Sequence, residues 1–330
     1  MRPDPGKAGL LYGRLPPHAA SDEQDVMVEA ATVGRALSGL GYRVVRVPVT
    51  LDLRRAGRLL RRLSPQLVFN LVESLEGQDR LASLAPALLD WLGLAYTGSR
   101  TEAIFLTSSK LLTKERLRAA GIPTPAWAEA SAAGCEPGFA PPYIVKSVWE
   151  HASIGLTGSS VARDGGSLAG ELRRRAAAGP ARSRFVEAYV EGREFNLALL
   201  EGPGGPQVLP PAEIEFHAYP DGKPRIVDYA AKWDGDSAEY RQTPRRFDYP
   251  PADQELLENL RRTALACWRV FELGGYARVD FRVDTAGRPW VLEVNTNPCL
   301  SPDAGFLAAA SRAGLDPTEV VRRILEEHAR

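Results

Sequence analysis

Residues 276–283 alternate strictly, with Tyr276, Arg278, Asp280 and Arg282 on one side and Ala277, Val279, Phe281 and Val283 on the other. That is the period of a half-buried strand. Asp284-Thr285-Ala286-Gly287 is turn chemistry, and alternation resumes from Trp290 to Asn295, with Glu293 and Asn295 on a shared face. A hairpin with a short loop brings Asp280 to that face as well, beside Arg278.

Upstream, apolar runs alternate with helical patterns. Leu10-Leu11-Tyr12, 42–49 and 66–72 read as strands, the last nearly all apolar and so buried on both faces. Helices are expected over 25–40 and 81–92, closing at Gly41 and Gly93. This alternation predicts a parallel sheet. Asn70, Glu73 and Gly77 follow its third strand, at the edge where open sheets bind ligands. Thr97-Gly98-Ser99 marks a domain boundary. Next come a helix over 107–120 stopped by Gly121, a strand ending at Lys146 and a Gly/Ser loop over 150–160. A basic helix over 168–178 precedes strands at 184–190 and 194–200. A strand over 212–216 leads to a polar excursion, 228–250, that carries Lys232-Trp233. An amphipathic helix over 254–273 delivers the chain to the hairpin, and a helix from Pro317 ends it.

The length of 330 residues suggests two or three domains. Zero net charge gives no electrostatic case for nucleic acid or an anionic membrane. Cys135, Cys267 and Cys299 are dispersed, as expected in a reducing compartment and without metal-ligand spacing. The first residues lack a signal-peptide pattern, and no apolar run approaches about 20 residues, so the expected location is cytoplasmic. Only six lysines (Lys7, Lys110, Lys114, Lys146, Lys223 and Lys232) stand against thirty-five arginines. Where arginine carries the surface charge, a retained lysine marks a place that wants a compact ammonium; chance is the competing explanation for any single one.

Several of these positions suit a nucleoside triphosphate. Lys110 and Lys146 are point charges for phosphate oxygens, and the glycines of the loop from Glu150 to Gly158 let backbone N–H groups approach an anion. Glu187, on an apolar strand, and Glu194, just past a glycine turn, offer acceptors to adenine and ribose. Asp280, Glu293 and Asn295 form an oxygen-only set that suits Mg²⁺. Each feature also has a plainer reading: a solvated hairpin face, an exposed strand glutamate, a surface lysine. Neither a P-loop nor a dinucleotide glycine fingerprint is present.

The order GIPTP (Gly121–Pro125), IVK (Ile144–Lys146), VEAYVEGREF (Val186–Phe195), DYAAKW (Asp228–Trp233), YARVDFRVD (Tyr276–Asp284) and LEVNTNP (Leu292–Pro298) resembles the ATP-grasp superfamily. Within it the match is to the D-alanine–D-alanine ligase group, from about Leu67 to the C-terminus. The resemblance implies an α/β, three-domain ATP-grasp architecture: an N-terminal Rossmann-like parallel sheet (1–98), a central α+β lid domain (99–186) and a C-terminal α+β domain with a metal-binding hairpin (187–330). It further implies an ATP-dependent carboxylate–amine ligase for small amino-acid-like substrates, working through an acylphosphate and releasing ADP and phosphate. ATP with Mg²⁺, or Mn²⁺, are the implied cofactors; nucleic acid and membrane are not expected partners, and a homodimer is compatible.

By this resemblance Lys110, Lys146 and Ser153 meet the phosphates, Glu187 and Val190 the adenine, and Glu194 the ribose. Lys232 reaches the γ-phosphate from a mobile loop, Asp280, Glu293 and Asn295 hold metal, and Arg278 stabilises the reacting carbonyl. Glu23 matches a glutamate that anchors a substrate ammonium. The chain departs from the group at Ala152, in place of a serine of the phosphate loop, at Trp233, where tyrosine is usual, and at Ala304, in place of a serine that binds the second substrate's carboxylate. Three competing readings are a regulator that binds nucleotide without turnover, a doubly wound oxidoreductase, and an ordinary D-alanine–D-alanine ligase.

Overall fold

The structure, a computed structural model, describes residues 6–15, 21–130, 134–151, 153–177 and 183–326, the side chains of 21–23 excepted. Ala152 and the Glu23 side chain, both singled out above, therefore lie outside the described residues.

The first sheet is parallel. Strands β1 (Lys7–Gly13), β2 (Arg43–Val49) and β3 (Leu67–Asn70) lie in the order β2-β1-β3, with helix α1 (Ser21–Gly39) connecting β1 to β2. Every residue of β3 is buried, including Asn70, which ends an otherwise apolar run. Helix α2 (Leu53–Leu63) is an element that the sequence pattern passes over. Its arginines obscure a narrow buried stripe of Ala56, Gly57 and Leu60, and Asp52 caps its N-terminus by accepting from the Arg55 N–H at 3.0 Å. Helix α3 (Leu84–Leu92) then ends at Gly93 in the left-handed region.

The single helix expected over 107–120 is two. Helix α4 (Thr101–Ser108) stops at Ser109, which turns extended, and α5 (Lys110–Ala119) starts immediately after it. The Ser109 hydroxyl accepts from the Leu112 N–H at 3.4 Å, an N-cap in the middle of an apparently continuous pattern. The Lys110 N–H is thereby free to donate to the Val148 carbonyl at 2.9 Å, which sets Lys110 beside the following sheet.

That second sheet is antiparallel: β4 (Trp127–Ala130), β5 (Tyr143–Ser147), β6 (Val161–Ala162) and β7 (Arg184–Ala188) in the order β4-β7-β5-β6. Helix α6 (Gly165–Ala177) covers it with Leu168 and Leu172 against Tyr143, Val145 and Val186.

A third sheet runs β11-β10-β8-β12-β13, with β9 on β8. Its strands are β8 (Gly192–Leu200), β9 (Gln207–Val208), β10 (Ala212–Ile214), β11 (Arg245–Arg246), β12 (Tyr276–Asp284) and β13 (Pro289–Asn295). Two short helices, α7 (Tyr229–Trp233) and α8 (Ala238–Arg241), interrupt the polar excursion. Helix α9 (Gln254–Val270) buries Leu257, Leu260, Ala264, Cys267 and Trp268 against the sheet. In the β12–β13 hairpin Arg278 pairs with Asn295 and Asp280 with Glu293; the register then slips at Leu292, a bulge, before Phe281 meets Val291. Helices α10 (Gly305–Arg312) and α11 (Pro317–Glu326) close the chain onto its beginning. Ala30, Val33 and Leu37 of α1 share one core with Leu200, Tyr276, Phe306, Ala310, Val320 and Ile324.

Candidate functional site

Two lysines from different elements converge on one carboxylate. Glu187, at the end of β7 and 2% exposed, pairs with Lys114 at 2.6 Å through one oxygen and with Lys146 of β5 through the other. Lys114 is fully buried, and its ammonium also donates to Thr124 Oγ1 at 2.7 Å and the Pro125 carbonyl at 2.9 Å. Its three donors thus have three acceptors. Burial pulls the Lys114 ammonium down to about 8 against the pull of Glu187. Burial also pushes the Glu187 carboxyl up, but the two ammoniums outweigh it and leave the group below its usual range. Sequence reasoning assigned Lys110 and Lys146 but left Lys114 without a role. The available signal was its spacing of four from Lys110, which places both on one helical face.

The hairpin gathers the other charged groups. Arg278 grips Asp280 through two parallel bonds, Nε to Oδ1 at 2.8 Å and Nη2 to Oδ2 at 2.9 Å, and Asn196 adds a bond to Oδ1 at 2.9 Å. Asn295 Oδ1 accepts from the Asn297 N–H at 2.9 Å. The Glu293 carboxylate faces His151, whose Nδ1 contacts its Oε1. Burial raises the Glu293 carboxyl, yet Lys110, His151 and Arg278 together hold it well below the usual carboxylate range. Glu194, on β8, pairs with Arg282 at 3.1 Å; burial nevertheless leaves its carboxyl raised.

Two loops meet over this hairpin. Lys110 Nζ donates to the Glu150 carbonyl at 2.6 Å, Ser153 Oγ donates to the Val227 carbonyl at 2.8 Å, and the Tyr229 N–H reaches the Leu156 carbonyl at 3.4 Å. The loop from Glu150 to Gly158 and the segment leading into α7 are therefore in contact. Asp228 caps α7, and Lys232 within it lies 5.3 Å from the Trp233 ring. Burial and Arg278 lower the Lys232 ammonium, opposed by Glu293, Asp280 and Glu73.

A junction that no local pattern announces ties α1 to the loop after the hairpin. Glu29 Oε1 accepts from the Leu300 N–H at 2.7 Å, Cys299 donates to Asp25 Oδ2 at 2.9 Å, and Ser301 donates to Asp25 Oδ1 at 2.7 Å. Glu29, Glu73 and Cys299 bring their ligand atoms within 4.8 Å of one another. Burial, then the neighbouring Glu73, pushes Glu29 well above the usual range. Glu73 keeps accessible surface, yet desolvation lifts it to about 7, with Lys232 opposing and Asp79 and Asp25 adding to the rise.

Most expected site residues thus fall in one region: Lys110, Lys146 and Glu187 on one side, Lys232, Arg278, Asp280 and Glu293 on the other. Asn295 ends the hairpin opposite Arg278, Glu194 lies on the adjacent β8, and Val190 follows β7, half-buried. A model of the D-Ala D-Ala ligase C-terminus matches residues 119–326. The chain is 34% identical to a D-alanine–D-alanine ligase of a Synechococcus species over 93% of this chain and 90% of the relative. It is 33% identical to one from Moorella thermoacetica over 93% and 95%. The chain belongs to the D-alanine–D-alanine ligase family. The fold of this ligase matches the Bacillus anthracis D-alanine–D-alanine ligase complexed with ATP, with a TM-score of 0.74 at 23% identity over 98% of both chains. It is an ATP-grasp enzyme, an ATP-dependent ligase that joins a carboxylate to an amine.

Proposed function

We propose that this ligase joins two amino-acid-like substrates that are not both D-alanine, through an acylphosphate formed beside the β12–β13 hairpin. The observation that carries the substrate reading is at the start of α10. Ala304 offers a methyl where a hydroxyl would hold a carboxylate, and the nearby Ser301, fully buried, already donates to Asp25. Trp233 adds a bulky ring with a single N–H donor. Losing a hydrogen-bonding partner between site and substrate costs far more than losing a methylene, about 10⁴-fold in strong cases. Supplied with D-alanine alone, ATP and Mg²⁺, the enzyme forms the dipeptide far below the ~10 s⁻¹ typical of enzymes; turnover at that rate overturns the substrate assignment. ADP release from pairs of amino acids, with product mass analysis, identifies the true pair.

In this reading Lys110, Lys146 and Ser153 bind the phosphates, Glu187 and Val190 the adenine, and Glu194 the ribose. Glu23 anchors a substrate ammonium. The three domains are 1–98, 99 to about 188, because β7 completes the second sheet, and the remainder. No helix among the described residues is long and apolar enough to cross a membrane, and we assign the enzyme to the cytoplasm.

The residues fit a divalent cation. Glu293 is held anionic, and Asp280 and Asn295 add hard oxygens beside it. When bound there, the ion neutralises charge on the phosphoryl oxygens. The chain's own residues do the rest. Lys110 and Lys146 place the nucleotide, and Lys232 meets the γ-phosphoryl as a substrate carboxylate takes it. Asp280, itself held by Asn196, fixes the Arg278 guanidinium, which donates to the oxyanion formed when the amine attacks the acylphosphate carbonyl. Phosphate then leaves as the amide forms. Contact between the phosphate loop and the α7 segment keeps water from the acylphosphate.

Lys110→Met and Lys146→Met each remove a charge-assisted contact and weaken ATP binding or turnover by roughly 10–1000-fold. Near-native kinetics in both variants would remove these lysines from the phosphate site.

A further inference from the structure

The phosphate loop carries an imidazole in a place that backbone alone could line. His151 is fixed from both sides. Its N–H donates to Asp79 Oδ2 at 2.8 Å, and the carbonyl just before it, of Glu150, accepts from Lys110 Nζ at 2.6 Å. Held this way, Nδ1 meets Glu293 Oε1, and both side chains remain 21% exposed, so the pair opens to solvent instead of closing into the core.

The other hairpin oxygens are partly committed. Both oxygens of Asp280 accept from Arg278, one of them also from Asn196, and Asn295 Oδ1 accepts from a backbone N–H. Glu293 is the carboxylate that faces the loop, and the donor beside it is a nitrogen. Neighbouring ligands of an octahedral ion with bonds of about 2.1 Å lie roughly 3 Å apart. That is the separation of two atoms in hydrogen-bond contact, so a small opening of this pair admits an ion between them. Mg²⁺ takes oxygen ligands and dehydrates reluctantly, whereas imidazole suits first-row transition ions.

We propose that His151 is a ligand, through Nδ1, of the ion held by Glu293, and that this nitrogen tilts the site from Mg²⁺ towards Mn²⁺. The inference rests on the metal reading of Asp280, Glu293 and Asn295 given above. It adds a specificity-determining residue contributed by the phosphate loop, so loop closure and ion binding favour each other.

Pulsed electron paramagnetic resonance of the full chain with Mn²⁺ and the β,γ-methylene analogue of ATP tests it. The analogue has no nitrogen in its phosphate chain. The expected result is a ¹⁴N coupling of a directly bound imidazole together with ³¹P couplings from the nucleotide. His151→Gln, which can still hydrogen-bond Glu293, and His151→Ala lose the ¹⁴N coupling and keep the ³¹P coupling. Their Mn²⁺ affinity falls at least about tenfold, while Mg²⁺ affinity, read by competition, changes several-fold less. Wild-type protein with ³¹P coupling and no ¹⁴N coupling overturns the role of His151 and leaves the metal reading standing. Wild-type protein that binds neither Mn²⁺ nor its nucleotide complex overturns the metal reading, and this inference with it. The decisive measurement is on wild-type protein and does not depend on a variant's folding.

Discussion

Glu293→Gln abolishes ATP-dependent ligation at every Mg²⁺ concentration, a loss of about 10³-fold or more. Glutamine keeps the shape and one carbonyl oxygen but brings no charge to a position where Lys110, His151 and Arg278 favour an anion. Losing some 4 kcal/mol of stabilisation of the phosphoryl transition state corresponds to that factor. Asn295→Ala is milder and is partly rescued by high Mg²⁺, because water replaces a neutral oxygen ligand. Steady-state ADP release across a Mg²⁺ titration separates the two. A Glu293→Gln enzyme with a tenth of the native rate would take the metal role away from this carboxylate. His151→Ala is the necessary companion, since the substitution at 293 also removes the partner of the imidazole.

The second large effect is on stability. Glu187→Gln leaves Lys114, wholly buried, and Lys146, 13% exposed, converging on a neutral amide. Breaking a buried pair from one side costs about 3–5 kcal/mol, which lowers the melting temperature of a unit of this size by roughly 10 °C. Deprotonation of Lys114, already pulled down to about 8, limits the damage. Glu187→Gln combined with Lys114→Met recovers most of the loss, because the uncompensated charge is gone. A single variant that melts within about 2 °C of native protein would show the triad to be energetically slight. The pH dependence has a definite sign. The Glu187 carboxyl lies below its unfolded value, so its stabilisation is present above that value and is lost as pH falls through the folded one. Lys114 is lowered instead. Its charging opposes folding at neutral pH, and that penalty is relieved as pH rises from about 8 towards the unfolded value near 10.4.

The hairpin was legible because its period is unambiguous and its turn residues sit between two alternating runs. The parallel sheet was legible because apolar runs alternate with helical patterns, β3 being apolar but for Asn70. Helix α2 was not, since five arginines on three turns mask a stripe of three buried positions. The break at Ser109 was not either: a serine inside a helical pattern reads as an exposed helix residue, and only the Val148 carbonyl that takes up the Lys110 N–H makes it a cap. Lys114 stood out only as one of six retained lysines, and its burial depends on Thr124, Pro125 and Glu187, which reach it from outside the helix. The hydrogen bond of Glu29 to Leu300 spans 271 positions, and no local periodicity encodes a partner at that distance. At the site, residue types that suit phosphate or metal could be named from the chain, whereas the pairing of His151 with Glu293 needed the loop in place.

The core shared by α1 with α10 and α11 has a consequence for the protein during its synthesis. Val33 and Leu37 are made nearly three hundred residues before Val320 and Ile324 of α11, the helix that packs on α1. At ribosomal rates of about 5–20 residues per second, the apolar face of α1 waits roughly 15–60 s for its cover. The parallel sheet can pair in that interval, but its outer helix cannot be sealed, so the nascent chain presents a sticky surface until α11 emerges. A chaperone that engages ribosome-bound chains would find its target there and would be displaced by the docking of α11.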